Sequence, residues 1–385
     1  LGGLVTLPAA FVILAPRSLG GFEVISAAAV EEGETRATLR LSSPGAQIAP
    51  VHTRMRRAIR AVLPVYGALT VALVMGFGAA GESGLAAVVH AMGIVSTSGV
   101  SPLEGGFAAV GNLPAEMVAG LFLAVMITRH IYARASAVGR TWTLSKDAEI
   151  GLAAVLVGAS TLALFARHWL GALGLEIEEN LVVGLTALWG SLFTTLSFLT
   201  TTGYESAAWA DARAWAGLEN PGLILLGLAA IGGGAATTAG GIKLIRAYAL
   251  LRHGVREIDR LAQPSVVLGV GVDTRGLLRQ GAIVAWTCIM LYTATIFAVA
   301  LALAAAGLAF QTALTGAISA ITNCGPAFGA VNPGHVNYAL LDGTQRGILA
   351  VGMVLGRIET LSVVALFNPD AWQSVRRTQK SSGKT

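Results

Sequence analysis

Long apolar stretches alternate with short polar links along the chain. A bilayer core about 30 Å thick takes roughly 20 residues of apolar helix to cross. The stretches that approach this length are predicted as membrane spans: 61–80, 113–128, 148–166, 221–242, 281–309 and 347–366. The pattern therefore predicts an all-α integral membrane protein.

Three shorter apolar runs lie between these spans, and each ends in an element rich in Thr, Ser or Asn that contains a glycine. They cover 85–95, 187–199 and 313–321. At about 9 to 13 residues, none is long enough to cross a bilayer as a helix. We expect re-entrant half-helices that return as extended chain, since irregular backbone at membrane depth must be buried in protein or line a watery cavity.

The order of span, short run and second span recurs about every 100 to 120 residues. This recurrence predicts repeats at 51–140, 141–262 and 263–385, the last with a basic C-terminal tail. Residues 1–50 are interpreted as the closing span of an earlier repeat followed by a cytoplasmic link. Because the chain starts at Leu1 without an initiator Met, we expect an N-terminal truncation.

The distribution of charge predicts the orientation in the membrane. Only 12% of the residues are charged, and 54% are hydrophobic. About 22 of the 26 Lys and Arg residues lie in the links 17–60, 129–146, 243–279 and 376–384. Basic links are typically cytoplasmic, so the net charge of +5 indicates topology rather than nucleic-acid binding. A multi-pass protein of the cell inner (plasma) membrane follows.

The elements that end the short runs are predicted to form an ion-binding filter. Stacked backbone carbonyls can replace the hydration shell of a cation without a full negative charge. The predicted filter residues are Thr97, Ser98, Gly99, Thr201, Thr202, Gly203, Asn323, Cys324 and Gly325. A single Thr-x-Gly would indicate only a turn, but three at equivalent places favour a site for K⁺ or Na⁺. The two cysteines lack metal-ligand spacing, so no transition-metal site is predicted.

A glycine-rich stretch at 232–243 interrupts the second span of the third repeat, counting the truncated one as the first. Each glycine costs a helix roughly 1 kcal/mol relative to alanine, so we expect the span to be broken here. An unwound segment at that depth is a candidate gate. The alternative is close helix packing through small residues.

A charged pair, Arg357 and Glu359, lies within the last predicted span. Intramembrane charges normally face a cavity or a partner, so Arg357 could form an electrostatic barrier in the pore. The alternative is a structural pair that only holds helices together. The predicted gate comprises Gly232, Gly233, Gly234, Thr237, Thr238, Gly240, Gly241, Lys243, Arg357 and Glu359.

These motifs together resemble the Trk/Ktr/HKT superfamily of potassium transporters, and the resemblance extends over nearly the whole chain. Its most specific pieces are Thr201-Thr202-Gly203-Tyr204, Thr238-Ala239-Gly240-Gly241-Ile242-Lys243, Asn323-Cys324-Gly325-Pro326 and Gly356-Arg357-Ile358-Glu359 with Leu366-Phe367-Asn368-Pro369. The resemblance implies span, re-entrant loop and span repeats in pseudo-fourfold arrangement around a central cation pore. It also implies one filter glycine per repeat, here Gly99, Gly203 and Gly325, and a gating loop that Arg357 faces.

The same resemblance implies the partners: the lipid bilayer, a second copy in a homodimer, and a cytosolic nucleotide-binding regulatory ring of the TrkA/KtrA type. It implies no cofactor in the chain, with K⁺ as the transported ion. Cys324 departs from the superfamily pattern, in which an aliphatic residue is common at that position. The first filter loop is absent, which leaves K⁺ and Na⁺ selectivity open.

The predicted function is uptake of monovalent cations, and K⁺ is the predicted ion. One alternative is a Na⁺-permeable member of the same superfamily. Another is a secondary transporter with re-entrant hairpins for a different small solute, although such proteins usually contain inverted repeats. A membrane scaffold would have no need for repeated Thr-Gly loops. Motifs typical of hydrolases, metalloproteases and P-loop enzymes are missing from the sequence, so the chain is not predicted to be an enzyme.

Overall fold

The computed structural model describes residues 2–13, 51–128, 147–171, 177–216, 220–235, 237–262, 272–331 and 338–358. All regular elements within these ranges are helical, which agrees with the predicted all-α class. The described ranges do not include residues 1 and 14–50, the basic links 129–146 and 376–384, or Glu359. The charge argument for topology therefore stays a prediction.

The helices of these ranges are numbered in chain order. They are α1 Gly2–Ile13, α2 Val51–Ala79, α3 Gly84–Val95, α4 Leu113–Met126, α5 Ala148–Gly171, α6 Ile177–Leu199, α7 Trp209–Ala216, α8 Gly222–Ile231, α9 Leu244–Ala262, α10 Val272–Ala305, α11 Phe310–Thr322, α12 Ala327–Ala330 and α13 Gly343–Ile358. Short 3₁₀ turns occur at Gly106–Val110 and Tyr338–Leu340.

Three helices of the described ranges are long and apolar enough to cross a membrane. Their apolar parts are Met55–Ala79, Ala148–Ala166 and Ala282–Ala305, and each opens one of the predicted repeats. Large apolar side chains remain exposed on them, such as Leu162 at 63% and Leu301 at 72%. Side chains of this kind on a long apolar helix are suited to contact with lipid tails.

The second spans differ in their bounds from the stretches that the sequence pattern predicts. Helix α4 has 14 residues, and α13 has 16 and reaches the limit of its described range. The stretch 221–242 divides into α8, which ends at Ile231, and a second helix that starts at Leu244. This division is where the glycines of 232–243 lower helix stability.

The three short runs form helices, and the second of them is much longer than predicted. Helices α3 and α11 have 12 and 13 residues. Helix α6 has 23 residues and begins at Ile177, ten positions before the expected start at 187. The expectation followed the apolar run, whereas helix formation continues into the preceding Ile-Glu-Glu-Asn, since glutamate is a good helix former. The expected length of about 13 residues was therefore wrong for this run.

The buried apolar side chains form three clusters that follow the chain order of the predicted repeats. The first lies mainly between α2, α3 and α4 and includes Leu73 and Phe107. The second is built mostly from α5 to α8, and the third from α10 to α13 around Leu303 and Phe328. Helices α3 and α11 pack within the first and third clusters, whereas α6 contributes Phe193 to the first cluster and Phe198 and Leu199 to the second. The repeat boundaries themselves stay predictions.

Candidate ion-binding filter and gate

Helices α3, α6 and α11 end in the same backbone turn. Thr97, Thr201 and Asn323 occupy its equivalent positions with φ of 49°, 59° and 56°. This left-handed region is uncommon for residues other than glycine. The amide of each donates to the carbonyl three residues earlier, and the next amide donates to the carbonyl five residues earlier, over 2.8 to 3.1 Å. Three separate sequence elements thus adopt one local conformation.

The glycines after these turns differ in conformation. Gly99 and Gly203 have φ of 62° and 77°, in the left-handed region, whereas Gly325 does not. The reason is local, because Pro326 follows Gly325 and a residue before proline is restricted toward extended conformations. The expectation that the three glycines are equivalent is thus not met in backbone geometry at Gly325.

The three turns converge. A Cβ added at Gly99 would overlap the carbonyl oxygen of Thr202, and one added at Gly203 would lie 2.8 Å from the Cys324 sulfur. The hydroxyl of Tyr204 donates to the carbonyl of Val100 over 2.7 Å. The structure therefore brings the nine predicted filter residues into one cluster formed by three predicted repeats.

Two carbonyls of the third turn are engaged by side chains of the protein. The Ser319 hydroxyl lies 2.8 Å from the carbonyl oxygen of Cys324 and 3.2 Å from that of Gly325. Tyr338 also donates to the Gly325 carbonyl, over 2.9 Å. These hydrogen bonds connect the third turn to α11 through Ser319 and to the 3₁₀ turn at Tyr338–Leu340 through Tyr338.

The glycine-rich stretch forms a closed loop between α8 and α9. The amides of Ile242 and Lys243 donate to the carbonyls of Ala230 and Ile231 over 3.0 and 2.9 Å. The amide of Leu244 donates to Gly233 over 3.0 Å. These bonds fasten the two ends of the loop together, and we refer to residues 232–243 as the glycine loop.

The glycine loop lies against the C-terminal ends of α3, α6 and α11. The Thr238 hydroxyl donates to the carbonyl of Val95 over 3.2 Å, and the Thr97 hydroxyl is 3.2 Å from that of Thr238. The Gly240 amide donates to the Thr201 hydroxyl over 2.8 Å. A Cβ at Gly240 would overlap the carbonyl oxygen of Thr322, so only glycine fits there. The predicted gate and the predicted filter are thus in direct contact.

Two basic side chains, Arg357 of α13 and Lys243 at the end of the glycine loop, bind carbonyls of this loop. Arg357 donates through Nη1 to the Thr238 carbonyl over 2.7 Å and through Nη2 to the Thr6 hydroxyl over 3.1 Å. The Lys243 ammonium donates to the carbonyl of Ala239. Both side chains line a cavity of about 60 Å³ that also borders Gly240 and Gly241. Arg357 therefore contacts the loop, while its predicted partner Glu359 lies outside the described residues.

Two buried carboxylates were missed by the sequence analysis. Glu149, near the start of α5, accepts a hydrogen bond from the amide of Ala235 in the glycine loop over 2.8 Å. Glu116 of α4 accepts hydrogen bonds from residues that follow the second turn. The available signal was an acidic residue within or beside an otherwise apolar stretch, since intramembrane acids usually have a function and a partner.

Glu205 follows the second turn, in the loop that leads to α7. Burial raises the pKa of this carboxyl above its usual value, and the positive charge of Arg213 opposes that rise. As the pH falls, Glu205 therefore takes up a proton at a higher pH than an exposed glutamate does.

Comparison with known proteins identifies a similar family and similar structures. The model of the TrkH family, described as a cation transport protein, matches residues 153–374. The Trk system potassium uptake proteins TrkH and TrkI of Halomonas elongata are 26% and 29% identical over 323 and 318 residues, or 83% and 82% of this chain. The chain spans 63% and 61% of the length of these relatives.

A solved structure gives the same result for the fold. The crystal structure of the potassium transporter TrkH from Vibrio parahaemolyticus superimposes with a TM-score of 0.66 at 21% sequence identity. The match covers 92% of this chain and 70% of that one. The similarity therefore extends over nearly all of the helical architecture described above.

Proposed function

The chain belongs to the TrkH family of cation transport proteins, and we propose that it is the pore-forming part of a potassium uptake system. Membership confirms the resemblance found in the sequence and agrees with the prediction that the chain is not an enzyme. Potassium is proposed because the relatives from Halomonas elongata are named as potassium uptake proteins. The ion is the cargo, and no cofactor is needed for its passage.

The observation that carries the proposal is that three turns of similar backbone conformation lie against one another. Each turn follows a helix whose C-terminal end carries the negative part of the helix dipole, which favours a cation. The uncharged oxygens of the turns can bind a dehydrated ion weakly enough to release it. We assign selection to the nine filter residues, with Thr97, Thr201 and Thr202 all buried within the protein.

The driving force is the membrane potential, worth about 2.3 kcal/mol per charge per 100 mV. Inward movement through the filter brings the ion to the glycine loop. We propose that the loop is the gate, because it touches all three turns, and that Arg357 holds it in the described conformation. The positively charged side chains of Arg357 and Lys243 beside the loop also oppose the passage of K⁺.

The wider assembly is part of the proposal. A fourth, earlier repeat would complete a pseudo-fourfold pore in the inner membrane, with the repeats at the boundaries predicted above. The relatives extend beyond this chain, and the family resemblance supports a homodimer and a cytosolic nucleotide-binding ring. The two open alternatives are a Na⁺-permeable pore and a secondary transporter for another small solute.

Uptake of rubidium tests the proposed function. We expect potassium-starved cells that lack their own uptake systems to take up rubidium when they express the complete gene and its nucleotide-binding partner. Inhibition by K⁺ but not by Na⁺ would establish a potassium-selective pore. Equal inhibition by Na⁺ would support the Na⁺-permeable alternative, and no uptake by correctly inserted protein would refute cation transport.

The contact between Glu149 and the glycine loop leads to a prediction about gating. Glu149→Ala removes the acceptor for the Ala235 amide, so we expect the loop to be displaced more easily and rubidium uptake to rise several-fold. A hydrogen bond to a charged group contributes about 1.5–3 kcal/mol, and the other bonds of the loop limit the effect. Glu149→Gln keeps an acceptor oxygen and should give a smaller increase.

Initial rates of uptake, normalised to the amount of protein in the membrane, measure this effect. The exposed acid Glu104 provides the control, and Glu104→Gln should leave the rate unchanged. A wild-type rate in well-inserted Glu149→Ala protein would contradict a role of this contact in the gate.

A further inference from the structure

Glu116 is a buried carboxylate on the second predicted repeat. Its side chain is 3% exposed, on α4. One oxygen, Oε2, accepts hydrogen bonds from the Trp189 indole and the Ser206 hydroxyl, each over 2.7 Å. The other oxygen, Oε1, accepts from the amide of Ala207 over 2.7 Å. Three donors therefore converge on a single carboxylate.

All three donors belong to the third predicted repeat. Trp189 lies on α6, the helix that leads to the second turn, and Ser206 and Ala207 lie just after that turn. Glu116 thus contacts the polypeptide both before and after the filter residues Thr201 to Gly203. The carboxylate connects α6 to the segment after the second turn, across a boundary between predicted repeats.

Further hydrogen bonds restrict the movement of residues 204–207, the segment that follows the second turn. The Ser206 amide donates to the Thr194 hydroxyl over 3.3 Å, and Tyr204 donates to Val100 of the first turn over 2.7 Å. Together with Glu116, these bonds hold the chain from 204 to 207 against two repeats. Gly203 is immediately upstream, so its position depends on this segment.

A purely apolar residue would fill the site of Glu116 at less desolvation cost, because a buried charge is expensive unless it is fully hydrogen-bonded. Charge-assisted bonds of about 2.7 Å are short and directional, and a carboxylate can accept several at once. An amide could not accept all three, since one of its two terminal atoms is a donor. The buried carboxylate therefore fixes the positions of its three donors, which an apolar side chain could not do.

We propose that Glu116 is a positioning residue that determines ion selectivity by holding the second turn in its described conformation. This inference rests on the proposed cation pore. The carboxylate does not touch the ion and lies behind the filter. Loss of its bonds lets the turn adapt to ions of different size, which weakens discrimination between K⁺ and Na⁺.

The test is the ratio of Na⁺ to K⁺ concentrations that halve rubidium uptake by the complete protein with its partner. We expect Glu116→Gln to lower this ratio by about fivefold or more, as the loss of bonds to a charged group predicts. Trp189→Phe and Ser206→Ala each remove one donor and should lower it less, in the same direction. Glu104→Gln, an exposed acid of the same repeat, is the matched control.

A merely structural role would reduce the amount of inserted protein and leave the ratio unchanged. The proposal is overturned if Glu116→Gln and Ser206→Ala both keep the wild-type ratio. Should Glu116→Gln fail to insert, Ser206→Ala and Trp189→Phe decide the matter, because each leaves the carboxylate in place. An absence of uptake in the wild type would instead overturn the proposed function.

Discussion

Gly203→Ala is expected to abolish cation uptake, whereas Gly325→Ala is expected to retain most of it. Gly203 has a φ of 77°, and a Cβ there would lie 2.8 Å from the Cys324 sulfur and 3.1 Å from the ring of Pro326. The left-handed conformation alone costs a residue with a side chain about 1–2 kcal/mol. Relief of both the strain and the overlap requires the turn to move, which displaces the filter carbonyls.

Gly325 provides a matched control in the same cluster. Its backbone is outside the left-handed region, and a Cβ there would meet no atom within 4 Å. Rubidium uptake at equal amounts of inserted protein measures both variants, and thermal unfolding in detergent shows whether each remains folded. Loss of uptake in both would mean that the glycines are functionally equivalent, as the sequence alone suggested. Retention in both would place selection elsewhere.

Arg357→Ala is expected to raise cation flux about tenfold or more. The arginine donates to the carbonyl of Thr238 and to the hydroxyl of Thr6 in the described conformation. Bonds to a charged group contribute about 1.5–3 kcal/mol, and each 1.4 kcal/mol shifts an equilibrium about tenfold. Loss of these bonds favours displacement of the glycine loop, and loss of the charge lowers the barrier to a cation.

Initial rubidium uptake at several K⁺ concentrations measures this gain. Arg357→Lys should give an intermediate rate, because an ammonium keeps the charge but lacks the planar fork that reaches both acceptors. Arg346, exposed on the same helix and bonded to the Ala339 carbonyl, supplies the control Arg346→Ala, which should not change the rate. A wild-type rate in well-expressed Arg357→Ala would remove Arg357 from the gate.

Features with local causes could be predicted from the sequence. Apolar runs indicate a membrane protein because the bilayer core imposes a length on each span. The recurring spacing of the glycine-containing polar elements predicted that they follow helices, and they lie at the ends of α3, α6 and α11. The helix break at 232–243 could be predicted because glycine lowers helix stability. A local signal was also overlooked, since Pro326 already restricts the conformation of Gly325.

The contacts that build the site could not be predicted in this way, because they join distant parts of the chain. Glu116 and Ser206 are 90 positions apart, and Arg357 and Thr238 are 119 apart. An acid in an apolar helix signals that a partner exists, but its identity depends on how the helices pack. The start of α6 at Ile177 was missed for a related reason, since hydropathy follows the membrane while the helix continues beyond its apolar part.

Hydropathy, glycine content and motif spacing were sufficient to predict the class of the protein, its repeats and the segments that carry the chemistry, because these signals can be read along the chain without knowledge of how it packs. The packing of the helices was needed to show that the glycine loop rests on all three turns and that Glu116 and Glu149 bind these segments from neighbouring helices. The physical reason is that hydrogen bonds depend on distance in space, which the packing of the clusters sets.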